Sequence, residues 1–219
     1  MLGSSIDVSQ LFEALYQTLL MVSISLVLGA LIGVPLGILL VITKKGGIWE
    51  QTFIYHLLNP IINVLRSLPF IILLIAIVPF TKLIVGTSIG TEAAIVPLTV
   101  YVAPYIARLV ENSLLEVNSG VIEASQAMGA SPFQIIRYFL LPEALGSLIL
   151  ALTTSIIGLI GATAMAGAVG GGGIGDLALA YGYQRFDTMV IIITVVILVV
   201  MVQLIQSLGN LLARKVRKN

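Results

Sequence analysis

Between residues 15 and 42 the chain carries not one charged side chain, and the stretches 64–81, 92–109, 145–169 and 189–212 are nearly as apolar. Each approaches the roughly 20 residues that a helix needs to cross the hydrocarbon of a bilayer. Composition closes off the soluble alternative. The chain is 58% hydrophobic and 10% charged, whereas a soluble domain is about 25% charged. So little polar material cannot cover a water-facing surface, so the surface faces lipid. The expected fold is an all-α integral membrane protein, one domain over residues 15–212 with five transmembrane helices at the five stretches above. Residues 49–63 read as an amphipathic approach to the second span. Pro97 and Pro104 interrupt the third, which membrane helices tolerate. Residues 1–14 form an external N-terminal segment and 213–219 a basic cytoplasmic tail.

Charge and residue counts exclude several function classes. A net charge of +1 favours neither nucleic acid nor an acidic substrate. The chain has no cysteine and one histidine, His56, so thiol catalysis, disulfides and a histidine metal cluster are ruled out. No nucleophile–base pair stands out, so an enzyme is not expected, nor a cofactor, nor a metal site. The N-terminal residues carry Asp7 but no basic residue, and no small-residue cleavage site follows; the first span is expected to stay as a signal anchor.

Orientation follows from the basic residues. With the N-terminus outside, the cytoplasmic side receives Lys44, Lys45, Arg108, Arg137, Arg214, Lys215, Arg217 and Lys218, and the outside only Lys82 and Arg185. Arg66 sits near the inner end of the second span, where snorkelling to headgroups explains it. Glu92 and Glu111 fall near opposite ends of the third span and read as interfacial.

The longest hydrophilic connection, 111–143, then lies in the cytoplasm. Asn118-Ser119-Gly120 is a helix start, and Gly129 a left-handed helix end. Ser131-Pro132-Phe133-Gln134 supplies an N-cap, a proline at the first helical position and the glutamine of a capping box. Leu141-Pro142 is expected to close that second helix. Small side chains on the first helix let it enter a cleft on a partner, and Glu123 can reach a basic residue there. The plainer alternative is an amphipathic helix resting on the membrane surface.

Glycines form two further patterns. Gly29, Gly33 and Gly37 repeat every four residues, giving a face on which another helix can approach closely, within the subunit or across a dimer. Gly158 and Gly161, with Ala162, Ala164 and Ala166, give the fourth span a small-sided face, read as packing in preference to a pathway. Gly170-Gly171-Gly172-Gly173-Ile174-Gly175 satisfies Gly-x-Gly-x-x-Gly, but it follows a membrane span and not a strand, so a dinucleotide site fails. Gly171, Gly172, Gly173 and Gly175 remain as a close-packed outer gate or a plain turn. No P-loop occurs, so ATP cannot be bound that way.

Glu123-Ala124-Ser125-Gln126-Ala127-Met128-Gly129-Ala130, followed at the right distance by Leu141-Pro142, resembles the cytoplasmic-loop signature of binding-protein-dependent ABC importer permeases. Ser125 replaces the second alanine and Phe139 an isoleucine. Further stretches, among them 62–74, 84–90, 94–99, 110–116 and 166–175, are similar to the permease subunits of methionine-import ABC transporters over nearly the whole chain. The resemblance implies a type I importer transmembrane domain in the bacterial inner membrane, working as a homodimer. It also implies two copies of an ABC ATPase on the cytoplasmic face, with Glu123, Ala124, Ser125, Gly129, Ala130, Leu141 and Pro142 coupling to them. An external methionine-binding lipoprotein would deliver L- or D-methionine. Two rivals differ in what they predict. A glycine betaine or choline permease would show competition by betaine. A secondary transporter would need intramembrane ionisable residues and inverted repeats.

Overall fold

The computed structural model describes residues 6–217; residues 1–5 and 218–219 lie outside it, and with them Lys218 and the ends of the expected N-terminal segment and basic tail. Every regular element among the described residues is helical. Helix α1 spans Val8–Thr43, α2 Thr52–Ser67, α3 Phe70–Ala76, α4 Val78–Val85 and α5 Thr91–Leu115. Helix α6 spans Ser119–Ala127, α7 Pro132–Gly167, α8 Gly173–Leu177 and α9 Thr188–Arg217. Wider π-type turns lie within α7 at Ile135–Leu140 and after α8 at Ala178–Tyr183.

Four helices, α1, α5, α7 and α9, are long and apolar enough to cross a membrane. The expected second span is different. Residues 64–81 are not one helix: α2 and α3 meet at 105°, and α4 follows after a further break at Ile77. Proline explains both breaks. Pro69 forces Leu68 out of the helical region, where it sits at ψ 128°. Pro79 lies at the start of α4, where its missing N–H leaves no helical bond unmade. Conversely, Pro97 and Pro104 do not interrupt α5, which runs unbroken through both.

Helix α1 begins at Val8, well before residue 15, because Asp7 and Gln10 cap it: the Asp7 N–H donates to Gln10 Oε1 at 3.2 Å. Its 36 residues make about 54 Å of helix, more than a bilayer's hydrocarbon. The basic tail is likewise helical, since α9 continues to Arg217. Arg217 Nη2 donates to Ser147 Oγ on α7 at 3.1 Å.

Helix α5 is the hub, packed on α1, α2 and α7. Its buried residues include Ala94, Leu98, Val102, Ile106, Ala107, Val110 and Leu114. In the most apolar window of α5, 56% of residues are buried, against 11% in α9; α9 therefore presents Val196, Val200, Leu204 and Leu211 outward. Glu111 is inside the bundle and not interfacial. It is 4% exposed and pairs with Arg108 at 2.5 Å.

Candidate functional site

The loop between α5 and α7 is built from local chemistry that the sequence spells out. Asn118 Oδ1 accepts the Gly120 N–H at 2.8 Å and starts α6. At the other end Gly129 has φ +77°. Its N–H donates to Gln126 O at 2.9 Å, and the Ala130 N–H to Ser125 O at 3.1 Å. That crossed pair is the Schellman arrangement, which needs a left-handed residue and favours glycine. A Cβ on Gly129 would meet nothing within 4 Å, so the constraint is on backbone shape, not space. Ser131 Oγ then accepts the Gln134 N–H at 3.4 Å while Gln134 Oε1 accepts the Ser131 N–H at 2.8 Å, the reciprocal bonds of a capping box.

One expectation fails here. Leu141-Pro142 does not close a helix: α7 runs from Pro132 to Gly167. The π turn is the physical reason. Its Leu141 N–H donates five residues back, to Ile136 O. Widening the turn moves carbonyls off the line where the Pro142 ring would strike the preceding turn. The docking segment and the fourth span are thus one rigid rod, and α6 is fixed to its end by the Gly129 turn.

On that rod end the exposed surface is small and apolar. Ala124, Ala127, Met128, Gly129 and Phe133 face outward, with Glu123 beside them and Ala130 half-buried. Ser125 is fully buried, and its hydroxyl donates to Ile122 O at 2.7 Å; the helix itself absorbs the polar group, so serine serves in place of alanine. Leu141 is half-buried and Pro142 exposed. Behind α6, Glu123 and Gln126 border a cavity of about 250 Å³ shared with Lys44 and Ile48.

The glycine repeat of α1 packs within the subunit, on α5. All three glycines are buried. A Cβ on Gly37 would lie 2.5 Å from Ala107 O and 2.7 Å from Val110 Cβ, and one on Gly33 would strike Ala103 O. The small face of α7 behaves otherwise. A Cβ on Gly161 would meet nothing within 4 Å, and one on Gly158 only Tyr105, at 3.9 Å. Packing inside the chain therefore does not explain those two glycines, against the sequence expectation. They line a cavity of about 340 Å³ with Phe70, Tyr101, Ala162 and Met165. Tyr101 stacks on Tyr105 at 6.4 Å and meets Phe70 edge-on at 5.3 Å.

At the opposite end of α7 the glycine loop is clamped. The Gly173 N–H donates to Gln17 Oε1 at 2.8 Å and the Ile174 N–H to Thr18 Oγ1 at 2.9 Å, both from α1. Gly90 N–H donates to Gly170 O at 2.8 Å. A Cβ on Gly175 would lie 2.5 Å from Ala164 O, and one on Gly171 2.8 Å from Ala166 O. Gly172 is half-buried, Gly171, Gly173 and Gly175 fully so. A freely flexible turn is inconsistent with this packing. Burial pushes the nearby Asp176 carboxyl up from its ordinary value. Sequence reasoning missed Gln17 and Thr18; the signal was there, as paired polar residues inside an otherwise apolar helix.

Sequence reasoning also missed how Arg108 is held. Its Nη2 donates to Asn59 and Asn63 on α2, both at 2.7 Å. Among the described residues no group of three acidic, histidine or cysteine side chains could hold a metal ion.

Comparison with known proteins places these features. Residues 33–218 match the family described as binding-protein-dependent transport system inner membrane component. The chain is 51% identical over 206 residues to a probable D-methionine transport system permease protein of Vibrio cholerae, covering 94% of this chain and 92% of that one. It is 53% identical over 157 residues to the D-methionine transport system permease protein of Escherichia coli K12, covering 72% of each. Among solved structures, the inward-facing MetNI methionine ABC transporter superposes with a TM-score of 0.95 at 48% identity, over 98% of this chain and 99% of that one. An amino acid ABC transporter at 20% identity shares the fold, with a TM-score of 0.78 over 94% of both chains.

Proposed function

The chain belongs to the binding-protein-dependent transport system inner membrane components, and from that premise we propose that it is the permease subunit of an ABC importer carrying methionine. The observation that carries this is the union of α6 and α7: a docking helix locked by the Gly129 turn to a 36-residue rod that crosses the membrane. Force applied at α6 is transmitted along α7 without an intervening joint.

Two copies of the chain form the pathway, and an ABC ATPase sits under each α6. The ATPases hydrolyse ATP; this subunit converts their closure into rocking of the rods between inward-open and outward-open. The likeness to an inward-facing transporter supports reading this conformation as open to the cytoplasm. The basic residues support an outside N-terminus and a cytoplasmic C-terminus in the bacterial inner membrane. An external methionine-binding protein delivers the solute, and the loop at Gly171–Gly175 borders the outer mouth. Between the two ends, the α7 face bearing Thr154, Gly158, Gly161 and Met165 lines the route, with Tyr101 beside it. Glycines that touch nothing leave room for a passing side chain.

Labelled methionine uptake in cells lacking their own methionine importers, expressing this chain with its ATPase and binding protein, tests the reading. Unlabelled methionine should compete and betaine should not; competition by betaine alone would reject the substrate. Because the chain has no cysteine, Ala127→Cys provides a single thiol. It should cross-link to a cysteine placed in the ATPase cleft, and labelling of that thiol from outside intact cells would reject the orientation.

A further inference from the structure

Beside the bundle, α1, α2 and α5 enclose a slot of about 220 Å³. Ile32, Leu36, Leu58, Ile62, Val100 and Pro104 are among the residues that line it. The only hydroxyl on its wall, that of Thr99, is spent on Ile95 O at 2.8 Å. Ile32 and Ile61 at its rim are 50% and 49% exposed, so the slot opens sideways, away from the helices that form it.

One helical turn beyond Pro104 the chemistry changes abruptly. Arg108 is held there by Asn59 and Asn63, the neighbours of slot residues Leu58 and Ile62. Lys44 and Arg66 both lie near enough to act electrostatically on Glu111. Of these three cations only Arg108 has an ion-pair partner among the described residues, so three positive charges stand against the single carboxylate of Glu111. Arg108 Nε is buried without an acceptor. Arg66 is exposed at the end of α2, without a carboxylate to meet it.

We propose that this slot is a phospholipid site: one acyl chain lies between α1, α2 and α5, and the anionic phosphate is held by Arg66 and Lys44 in front of Arg108. Charge complementarity selects an anionic lipid, because clustered cations between membrane helices on the cytoplasmic side attract anionic headgroups. Shape selects a chain of methylenes. A helix of a second copy, about 10 Å across with its side chains, is too wide for a slot of this volume. The apolar wall offers no hydrogen bond that a peptide backbone would need. The lipid would cover α2, the helix with the fewest buried residues facing the core, and so tie it to α5.

Native mass spectrometry of the detergent-purified chain reads the site directly, alongside its unfolding temperature with added phosphatidylglycerol or phosphatidylcholine. The expected result is one retained phospholipid per chain, replaced by phosphatidylglycerol in preference to phosphatidylcholine, with a larger upward shift in unfolding temperature for the anionic lipid. Arg66→Gln with Lys44→Gln should weaken retention about tenfold, the loss of one charge-assisted contact. Leu58→Trp, which fills the slot, should abolish it. Should Leu58→Trp fail to fold, the surface pair Arg66→Gln and Lys44→Gln still decides. Equal stabilisation by both lipids would overturn the proposal. So would an equal shift with inorganic phosphate alone, which would mark a free-anion site, or lipid release on self-association, which would mark a face covered by a second copy.

Discussion

Helices α1 and α7 both carry glycines at helical spacing, and the two sets exist for opposite reasons. On α1, Gly29, Gly33 and Gly37 are glycines because α5 occupies the space where a side chain would be. On α7, Gly158 and Gly161 are glycines although that space is empty, and Gly161 is exposed. In a membrane, close helix approach is a source of association, since lipid tails offer no hydrophobic drive between helices. The α1 set is thus structural. An empty glycine in a helix gains nothing from packing and costs roughly 0.5–1 kcal/mol relative to alanine, so a function outside the fold accounts for the α7 set.

The sharpest way to break this comparison is a pair of matched substitutions. Gly33→Val should be the most damaging single change in the chain. Its Cβ would strike the Ala103 carbonyl and lie 2.9 Å from Ile106 Cβ, and backbone cannot retreat as a flexible side chain can. Overpacking costs about 1–3 kcal/mol and sometimes more, and a backbone clash sits at the upper end. Unfolding temperature in detergent and the yield of folded protein measure it. Gly161→Val should leave both nearly unchanged while reducing methionine uptake by about tenfold or more, because its side chain projects into the open cavity beside Met165. Gly161→Ala should raise stability slightly, by up to about 1 kcal/mol. If Gly161→Val unfolds the protein as Gly33→Val does, the distinction between the two helices is lost.

How much of this was readable beforehand depends on how local the cause is. The caps at Asn118, Gly129 and Ser131 were legible because each is a contact between residues two to five apart. The close-approach face of α1 was legible as a face, but its neighbour was not, since nothing in a repeat of glycines names the helix that fills it. Leu141-Pro142 was misread as a stop. Proline suits the first turn of a new helix and is tolerated within an old one when a π turn makes room, and sequence does not separate these. The second span failed similarly: hydropathy runs smoothly over 64–81, yet the 105° bend arises from Pro69 acting on one residue. Arg108 with Asn59 and Asn63 joins residues 45 to 49 apart, beyond any local signal.

Gly129 adds a third reason for a glycine, and a third size of effect. Nothing crowds its missing side chain, yet φ is +77°. Gly129→Ala should therefore cost about 1–2 kcal/mol, the penalty for a left-handed L-residue, localised to the turn and leaving the membrane helices folded. Coupling should suffer more than stability. ATP hydrolysis by the assembled transporter should persist while methionine uptake per ATP falls, because α6 no longer leaves the rod at a fixed angle. Gly129→Asn, which tolerates left-handed backbone, should recover part of the loss. Recovery by asparagine separates a backbone requirement from a demand for space, which Gly161 would show instead.

Ser125 marks the smallest effect, and it tests whether buried small residues on α6 follow the α1 rule. The side chain is fully buried, and its hydroxyl bonds only to Ile122 O, inside its own helix. Ser125→Ala removes that bond together with the group that needed it, so no buried donor is stranded. Alanine is also the better helix former by a few tenths of a kcal/mol. Stability and uptake should both stay within about 0.5 kcal/mol of the parent, measured by unfolding temperature and transport rate. Ser125→Leu should behave like a glycine replaced on α1: α6 would be pushed off the rod for want of volume, with transport lost while the membrane helices remain folded. Uptake lost in Ser125→Ala would mean instead that the hydroxyl itself acts on a partner, which its inward-turned hydrogen bond argues against.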